Sequence, residues 1–403
     1  MAILLIYLMT EATALAGLFL VQRRYGIEYA PMQSALNDEQ RTALKQFVET
    51  GQGMHVTQDP DLGWTSREEV NSAGMRDDRE YGRVPAPGVV RVSAFGDSFT
   101  YGADVKISET WIKQLASLEP SMEVLNYGMA AYGLDQGYLR YLRVGLEYSP
   151  NIVLIGYMSE NFARDVNVFR PFYSQSYSHT IFTKPRFKLV DDTLVLIRNP
   201  LATVADYKRF LQRDRDVLSE LGENDYYYQV GYTRGTFDFL PTVRLAKLLR
   251  TAIEKRRLDP IVDDGRYNAR SEAYVVTLKI FDAFYKTVLE NGALPIVVIL
   301  PDLYDFGRSR NGQETRYGVL LDYFHQKGYR YVDIMDAFKP YAKTYTVEEL
   351  TKAWGHYSPL GNQIVASYLS TQLKAWRFDD VSKVNEAVQL ELTRKGLTSR
   401  SGG

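Results

Sequence analysis

The chain has 403 residues and a formal net charge of -1, from 48 basic and 49 acidic residues. This balance gives no general electrostatic drive toward nucleic acid, so we expect no nucleic-acid partner. The chain has no cysteine, which excludes disulfides, a thiolate nucleophile and cysteine-bound metals. The four histidines are scattered without metal-ligand spacing, and we expect neither a metal nor another cofactor; they are His55, His179, His325 and His356.

The first 21 residues are the most apolar stretch, since 17 of them are hydrophobic. This length predicts a membrane-spanning helix or signal anchor over residues 1–24, although Glu11 near its centre weakens insertion by roughly 2–3 kcal/mol. A cleaved signal peptide and a buried helix are the alternatives. Arg23 and Arg24 favour a cytoplasmic location for the rest of the chain, but two charges leave the side open.

A polar extension over residues 25–88 closes with the linker-like sequence Pro85-Ala86-Pro87-Gly88. Short apolar strands then alternate with amphipathic helices over residues 89–377. Residues 166–235 interrupt the alternation with a Tyr-, Phe- and Arg-rich insertion that includes a hairpin turning at Asp191-Asp192. Residues 378–403 are predicted to be a polar tail.

The alternating region predicts a parallel sheet that is covered by helices on both faces, and therefore a three-layer αβα sandwich. The predicted strands cover 89–95, 123–125, 152–157, 294–300 and 331–333. The predicted helices cover 110–118, 134–147, 240–257, 271–291, 316–327 and 359–377. In the second of these helices we expect Leu139, Leu142 and Leu146 to face inward.

Polar residues follow the predicted strands at the end where parallel sheets bind ligands. Ser98 follows the first strand, Gly128 the second and Asn161 the third, while His356 directly precedes the last helix. Serine needs a base within hydrogen-bond reach to become a nucleophile, and His356 can accept its proton. The amides of Ser98 and Gly128 and the Asn161 side chain could then form an oxyanion hole.

These residues resemble the four signature blocks of the SGNH (GDSL-type) hydrolases, whose invariant residues are Ser, Gly, Asn and His. Gly96-Asp97-Ser98-Phe99 resembles the first block, and Gly128, Asn161 and His356 follow in the family order. The resemblance implies a flavodoxin-like fold and an acyl-ester substrate, either a small molecule or a glycan. Asn71, Gly74 and Arg76 are similar to bacterial members that are associated with envelope polysaccharide, which implies an extracytoplasmic catalytic domain.

Two departures from the family pattern concern the acid of a catalytic triad. The family usually carries an aspartate two or three residues before the histidine, where this chain has Trp354 and Ala353. The residue after the asparagine, often an aspartate, is Phe162. Three carboxylates are candidate replacements, and a Ser–His dyad helped by a backbone carbonyl is a further alternative; the candidates are Asp165, Asp333 and Asp336.

Three functions remain open at this point. The first is a serine esterase acting on O-acyl, especially O-acetyl, esters, and the second is an O-acyltransferase with the same acyl-enzyme. The third is a non-catalytic glycan- or partner-binding envelope protein, which the missing acid motivates. The sequence does not indicate the oligomeric state.

Overall fold

The computed structural model describes residues 1–25, 27–53, 56–173, 180–231, 233–257 and 260–399. His55 and His179 lie outside the described residues. The strands are β1 (56–59), β2 (63–66), β3 (90–96), β4 (122–128), β5 (152–158), β6 (186–190), β7 (193–197), β8 (262–263), β9 (266–267), β10 (294–300) and β11 (331–333). The α-helices are α1 (2–25), α2 (38–50), α3 (98–101), α4 (111–118), α5 (134–144), α6 (161–165), α7 (170–173), α8 (204–212), α9 (214–222), α10 (226–229), α11 (241–257), α12 (272–290), α13 (303–310), α14 (318–327), α15 (335–338), α16 (347–350), α17 (359–375) and α18 (381–395).

Five parallel strands form the central sheet, in the order β11-β10-β5-β3-β4. Numbered along the chain, this order is 2-1-3-4-5, the flavodoxin-like arrangement, so the predicted fold class is confirmed. The order reverses between β3 and β5, because the chain first adds β4 on one side of β3 and then β5 on the other. Ligand crevices form at such a switch point, outside the carboxyl ends of the strands.

Helices cover both faces of this sheet. α5, α12 and α18 pack together against β3 and β10, whereas α4 packs against β4 and α17. The crossover from β3 through α4 to β4 and the crossover from β4 through α5 to β5 run in opposite directions along the sheet. Because both are right-handed, α4 and α5 lie on opposite faces. Each of the four long strands is buried along its length or nearly so, which explains the continuous apolar sequences of β5 and β10.

Two sequence predictions for the helices are wrong. Of the three leucines expected to face inward from α5, only Leu139 packs against the core, while Leu142 and Leu146 are exposed. Tyr138 and Tyr141 provide the buried stripe instead, because the helix turns them toward Phe284 of α12. The predicted polar tail contains α18, whose apolar stripe is buried against α12 and β10. This stripe consists of Val384, Val388 and Leu392.

The polar extension and the insertion share a second hydrophobic core. Leu44 and Phe47 of α2 pack against Phe182, Tyr207 and other apolar residues of the insertion. α2 has few apolar positions and begins with a capping box at Asn37, which explains why its sequence carries a weak periodic signal. The predicted hairpin is confirmed as β6 and β7, with Asp191 and Asp192 both at positive φ as a tight two-residue turn requires.

The apolar N-terminal helix α1 is almost fully exposed, which contradicts the buried-helix alternative. Among the described residues it is the one helix long and apolar enough to cross a membrane, a property that signal sequences share. It packs along α11, where Gly17 approaches Leu245. Glu11 is not unpaired, because its two carboxylate oxygens accept hydrogen bonds from the backbone amide and hydroxyl of Thr242.

Candidate active site

Ser98 lies at the first residue of α3, immediately after β3. Asp97 caps this helix, since its Oδ1 accepts the Phe99 amide at 2.9 Å. Gly96 allows the end of β3 to pack closely on β5, because a Cβ there would lie 2.8 Å from the Gly156 carbonyl oxygen. The tight strand-to-helix turn therefore presents the Ser98 side chain at the carboxyl edge of the sheet.

His356 reaches Ser98 from a position 258 residues further along the chain, with 2.9 Å between its Nε2 and the serine Oγ. A tight turn holds it, since the His356 carbonyl accepts the Lys352 amide at 2.7 Å. The neighbouring Tyr357 donates from its hydroxyl to the Pro301 carbonyl at 2.9 Å. The edge-to-face ring of Phe99, 5.3 Å from the imidazole centre, further restricts its orientation. The structure thus brings together the predicted nucleophile and base.

Asp104 supplies the carboxylate that the sequence pattern leaves missing. Its Oδ2 lies 2.6 Å from His356 Nδ1. A carboxylate accepts hydrogen bonds, so this contact places a proton on Nδ1 and leaves Nε2 to accept the serine proton. Asp104 has a φ of 67°, a conformation that few non-glycine residues adopt, and it lies six residues after Ser98 in the turn that follows α3.

None of the three replacement carboxylates suggested by the sequence occupies this position. Asp333 accepts the Tyr317 hydroxyl, Asp336 pairs with Lys339, and Asp165 binds Thr277. Those predictions are therefore wrong. Asp104 was missed because the family pattern directs attention to the histidine segment, although its place on the loop after the first strand, at the ligand-binding edge, is a signal the sequence contains.

The predicted oxyanion-hole residues differ in their availability. Asn161 begins α6 directly after β5, is fully buried, and its amide nitrogen and oxygen have no partner within the described part of the chain. The Gly128 amide, in contrast, already donates to Asn126 Oδ1 at 2.9 Å. Gly128 is glycine for a packing reason, because a Cβ there would lie 2.2 Å from the Tyr101 amide nitrogen.

Ala131 lies on the same loop as Gly128 and lines the cleft beside Ser98 and His356. It has a φ of 68°. Across the described residues, the Ala131 and Ser98 amides donate no hydrogen bond to the protein. The geometry therefore favours Ala131 over Gly128 as a backbone donor to a bound ligand.

Charged side chains lie at the bottom of the cleft beside Ser98. Burial raises the pKa of Asp97, and the Arg164 guanidinium 3.4 Å away opposes that rise. Burial would also raise the pKa of Glu160, but Arg164, Arg170 and the Tyr173 hydroxyl lower it to about 2. Glu160 is therefore ionised at neutral pH.

A cleft of about 550 Å³ opens over Ser98 and His356, a size typical of small-ligand sites. Trp354, at a position where the family often has an acid, is 84% exposed at its rim. Phe162 is buried against the rings of Tyr157 and Tyr267 and contributes to the core. In the described part of the chain, no group of His, Asp and Glu side chains is arranged to hold a metal.

No family model and no curated protein sequence matches this chain. Two solved structures that resemble it are assigned to the G-D-S-L lipolytic family. One, from Desulfitobacterium hafniense, has a TM-score of 0.36 and 15% identity, covering 70% of this chain and 98% of its own. The other, from Veillonella parvula, has a TM-score of 0.33 and 9% identity, covering 71% and 98%. At these TM-scores the similarity decides neither the fold nor the activity.

Proposed function

We propose that this protein is a serine-dependent hydrolase of O-acyl esters. The observation that carries the proposal is the hydrogen-bonded series from Ser98 Oγ through His356 to Asp104, with distances of 2.9 and 2.6 Å. This is the arrangement that activates a serine hydroxyl toward an acyl carbon. It opens into a cleft large enough for a small acyl ester.

In the proposed reaction, Ser98 Oγ attacks the ester carbonyl while its proton passes to His356 Nε2. Asp104 holds the imidazole through Nδ1 and stabilises the imidazolium that forms. His356 then donates the proton to the departing alcohol, which leaves an acyl group on Ser98. Water, deprotonated by His356, attacks this acyl group and releases the carboxylic acid with the serine restored.

The negative charge on the carbonyl oxygen requires donors that are already in place. We assign this role to the amides of Ser98 and Ala131 and to Asn161 Nδ2. The orphaned Asn161 side chain supports the assignment, since a buried amide without a partner costs about 1–3 kcal/mol. An oxyanion would supply the missing acceptor during the reaction.

The contact with Asp104 removes the reason for a non-catalytic interpretation, which was the absence of an acid beside His356. Transfer to a sugar hydroxyl would use the same acyl-enzyme, and a product assay distinguishes the two reactions. Release of free acid from an acetyl ester in buffer alone supports hydrolysis. Strict dependence on an added alcohol supports transfer.

The direct test is labelling by a fluorophosphonate probe, which reacts with activated serines. We expect probe attached to Ser98 in the wild type and none in Ser98→Ala. Ser117→Ala, which alters an exposed serine on α4, is the matched control and should retain the label. Equal labelling of Ser98→Ala and wild type would show that the reactive serine lies elsewhere.

We also propose that α1 attaches the protein to a membrane. Its large apolar side chains are exposed along most of its length, an arrangement unfavourable in water. We expect the full chain to sediment with membranes, and the replacement of Leu4 and Leu8 by lysine to weaken that association.

A further inference from the structure

A second cavity adjoins the catalytic cleft. It has a volume of about 300 Å³ and shares three wall residues with the cleft, Glu160, Tyr173 and Arg316. We call it the inner pocket. Its volume is at the lower end of the range for ligand sites and suits a single ring-sized group. A ligand with its ester at Ser98 can therefore extend a neighbouring group into it.

The inner pocket is lined by aromatic rings with polar edges. Tyr226, Tyr227 and Tyr267 join Tyr173 in its wall, and Val230 and Ala163 add apolar surface. Tyrosine offers a flat apolar face together with a hydroxyl, so such a lining suits a ligand with both apolar faces and polar edges.

Two buried polar atoms of the lining residues lack hydrogen-bond partners. They are the hydroxyl of Tyr267 and Nε of Arg316, and neither has a partner within the described ranges. Tyr267 is 4% exposed, and the Arg316 guanidinium lies 5.9 Å from its ring centre. A buried donor without an acceptor is costly, so a polar occupant is favoured over an apolar one beside these two residues.

The charges of the wall argue against an alkyl chain as the occupant. Glu160 is ionised and pairs with Arg164, while Arg316 pairs with Asp302. An alkyl group buried against these ion pairs would remove their remaining hydration and offer no hydrogen bond in return. A polyhydroxylated ring can instead place its C–H faces on the tyrosine rings and its hydroxyls on the charged and unpartnered groups.

We propose that the inner pocket binds a sugar ring of an acylated carbohydrate whose ester lies at Ser98. This assignment rests on the proposed esterase function for the position of the ester. The assignment identifies the alcohol portion of the ester as a sugar. The contacts among Ser98, His356 and Asp104 alone do not specify that portion.

The test compares kcat/KM for fully acetylated methyl glucoside with kcat/KM for 4-nitrophenyl acetate, which lacks a sugar. Tyr267→Phe removes one hydroxyl, and Ala163→Phe fills the pocket. We expect Tyr267→Phe to lower the ratio of the two values about tenfold, as the loss of one buried hydrogen bond predicts. Ala163→Phe, which excludes the sugar ring by its volume, should lower the ratio at least as much. Tyr341→Phe, at a half-exposed tyrosine outside both cavities, should leave the ratio unchanged.

Two outcomes would overturn the proposal. One is an unchanged ratio in both variants. The other is a selective loss with 4-nitrophenyl octanoate, which would identify the pocket as an acyl-chain site.

Sugar binding can be tested without catalysis by calorimetry on the Ser98→Ala variant. Methyl glucoside and xylotetraose are the two sugars used. A binding heat that is present in Ser98→Ala and absent in the Ser98→Ala/Ala163→Phe double variant supports sugar binding in the inner pocket. If such binding is seen but wild type hydrolyses no ester, only the proposed esterase function fails. No binding of either sugar at millimolar concentration overturns the pocket.

Discussion

Asp104 and His356 form a hydrogen bond that neither the family pattern nor their positions along the chain predict. The carboxylate of Asp104 comes from the loop of the nucleophile rather than from the segment of the base. The left-handed backbone at Asp104 is the local cost of this arrangement, on the order of 1–3 kcal/mol. Surrounding contacts must hold the loop in this conformation.

Removing this carboxylate should impair catalysis more than binding. We expect Asp104→Asn to lower kcat on 4-nitrophenyl acetate by about 10²–10⁴-fold with a small change in KM, because the histidine loses its orienting partner. Asp336→Asn, at a half-exposed aspartate paired with Lys339, is the control and should retain activity. Full activity in Asp104→Asn would exclude Asp104 from the mechanism.

Asn161 should act in the transition state rather than in substrate binding. We expect Asn161→Ala to lower kcat roughly 10²–10³-fold while KM changes little, since the donor acts on charge that develops only during attack. Steady-state kinetics on the same ester measures both constants. A rise in KM with kcat preserved would instead assign Asn161 to ground-state binding.

At the scale of elements, the sequence predicts the centre of the sheet well because β5 and β10 are buried on both faces and are apolar along their length. The identity of strands 152–158 and 294–300 follows from this requirement alone. Helix facing is harder to predict, since tyrosines in α5 provide the buried stripe where leucines were expected. α18 could have been predicted, because Val384, Val388 and Leu392 recur at helical spacing.

The insertion is fastened to the catalytic domain by a buried ion pair. Lys184 binds the carboxylate of Asp135 in α5, and both side chains are at most 2% exposed. Asp165 of α6 lies beside them and accepts the Asp135 amide at 3.3 Å. No sequence pattern predicts this contact, because its partners are 49 residues apart and each is an ordinary surface residue type.

Breaking the pair from one side should be costly. We expect Lys184→Met to lower the free energy of unfolding by about 3–5 kcal/mol, because it leaves Asp135 buried without its counter-charge. Urea unfolding monitored by circular dichroism measures the change. Lys188→Met, four residues later in β6 and partly exposed, should change it by less than about 0.5 kcal/mol. Similar values for the two variants would contradict a fastening role for Lys184.

The whole molecule contains several buried carboxyl groups whose protonated forms are favoured. Burial raises the pKa of Asp165 and Asp305 to about 7, and that of Asp225 and Asp333 to about 6. Unfolded aspartate titrates near 3.9, so the folded state binds more protons between about pH 4 and pH 7. The stabilising contribution of these groups is complete below pH 4 and is lost as pH rises toward 7.

We therefore expect the melting temperature to rise by at least about 2 °C when the pH is lowered from 7.5 to 5.5. Asp165→Asn, which keeps the shape but removes the titration, should reduce this dependence. Differential scanning calorimetry over that range measures both effects. A melting temperature that falls steadily with acidification would contradict the raised pKa values.

The nucleophile and its acid lie on one loop near residue 100, whereas the base arrives 258 residues later. The segment that carries His356 is positioned by contacts with the C-terminal part of the chain. In one of these contacts, Asn362 of α17 accepts a hydrogen bond from the Trp111 amide. A nascent or truncated chain that ends before residue 356 therefore has a serine and a carboxylate but no base, and we expect it to have no esterase activity. Under the proposed mechanism, ester turnover would therefore report that α17 has docked against α4.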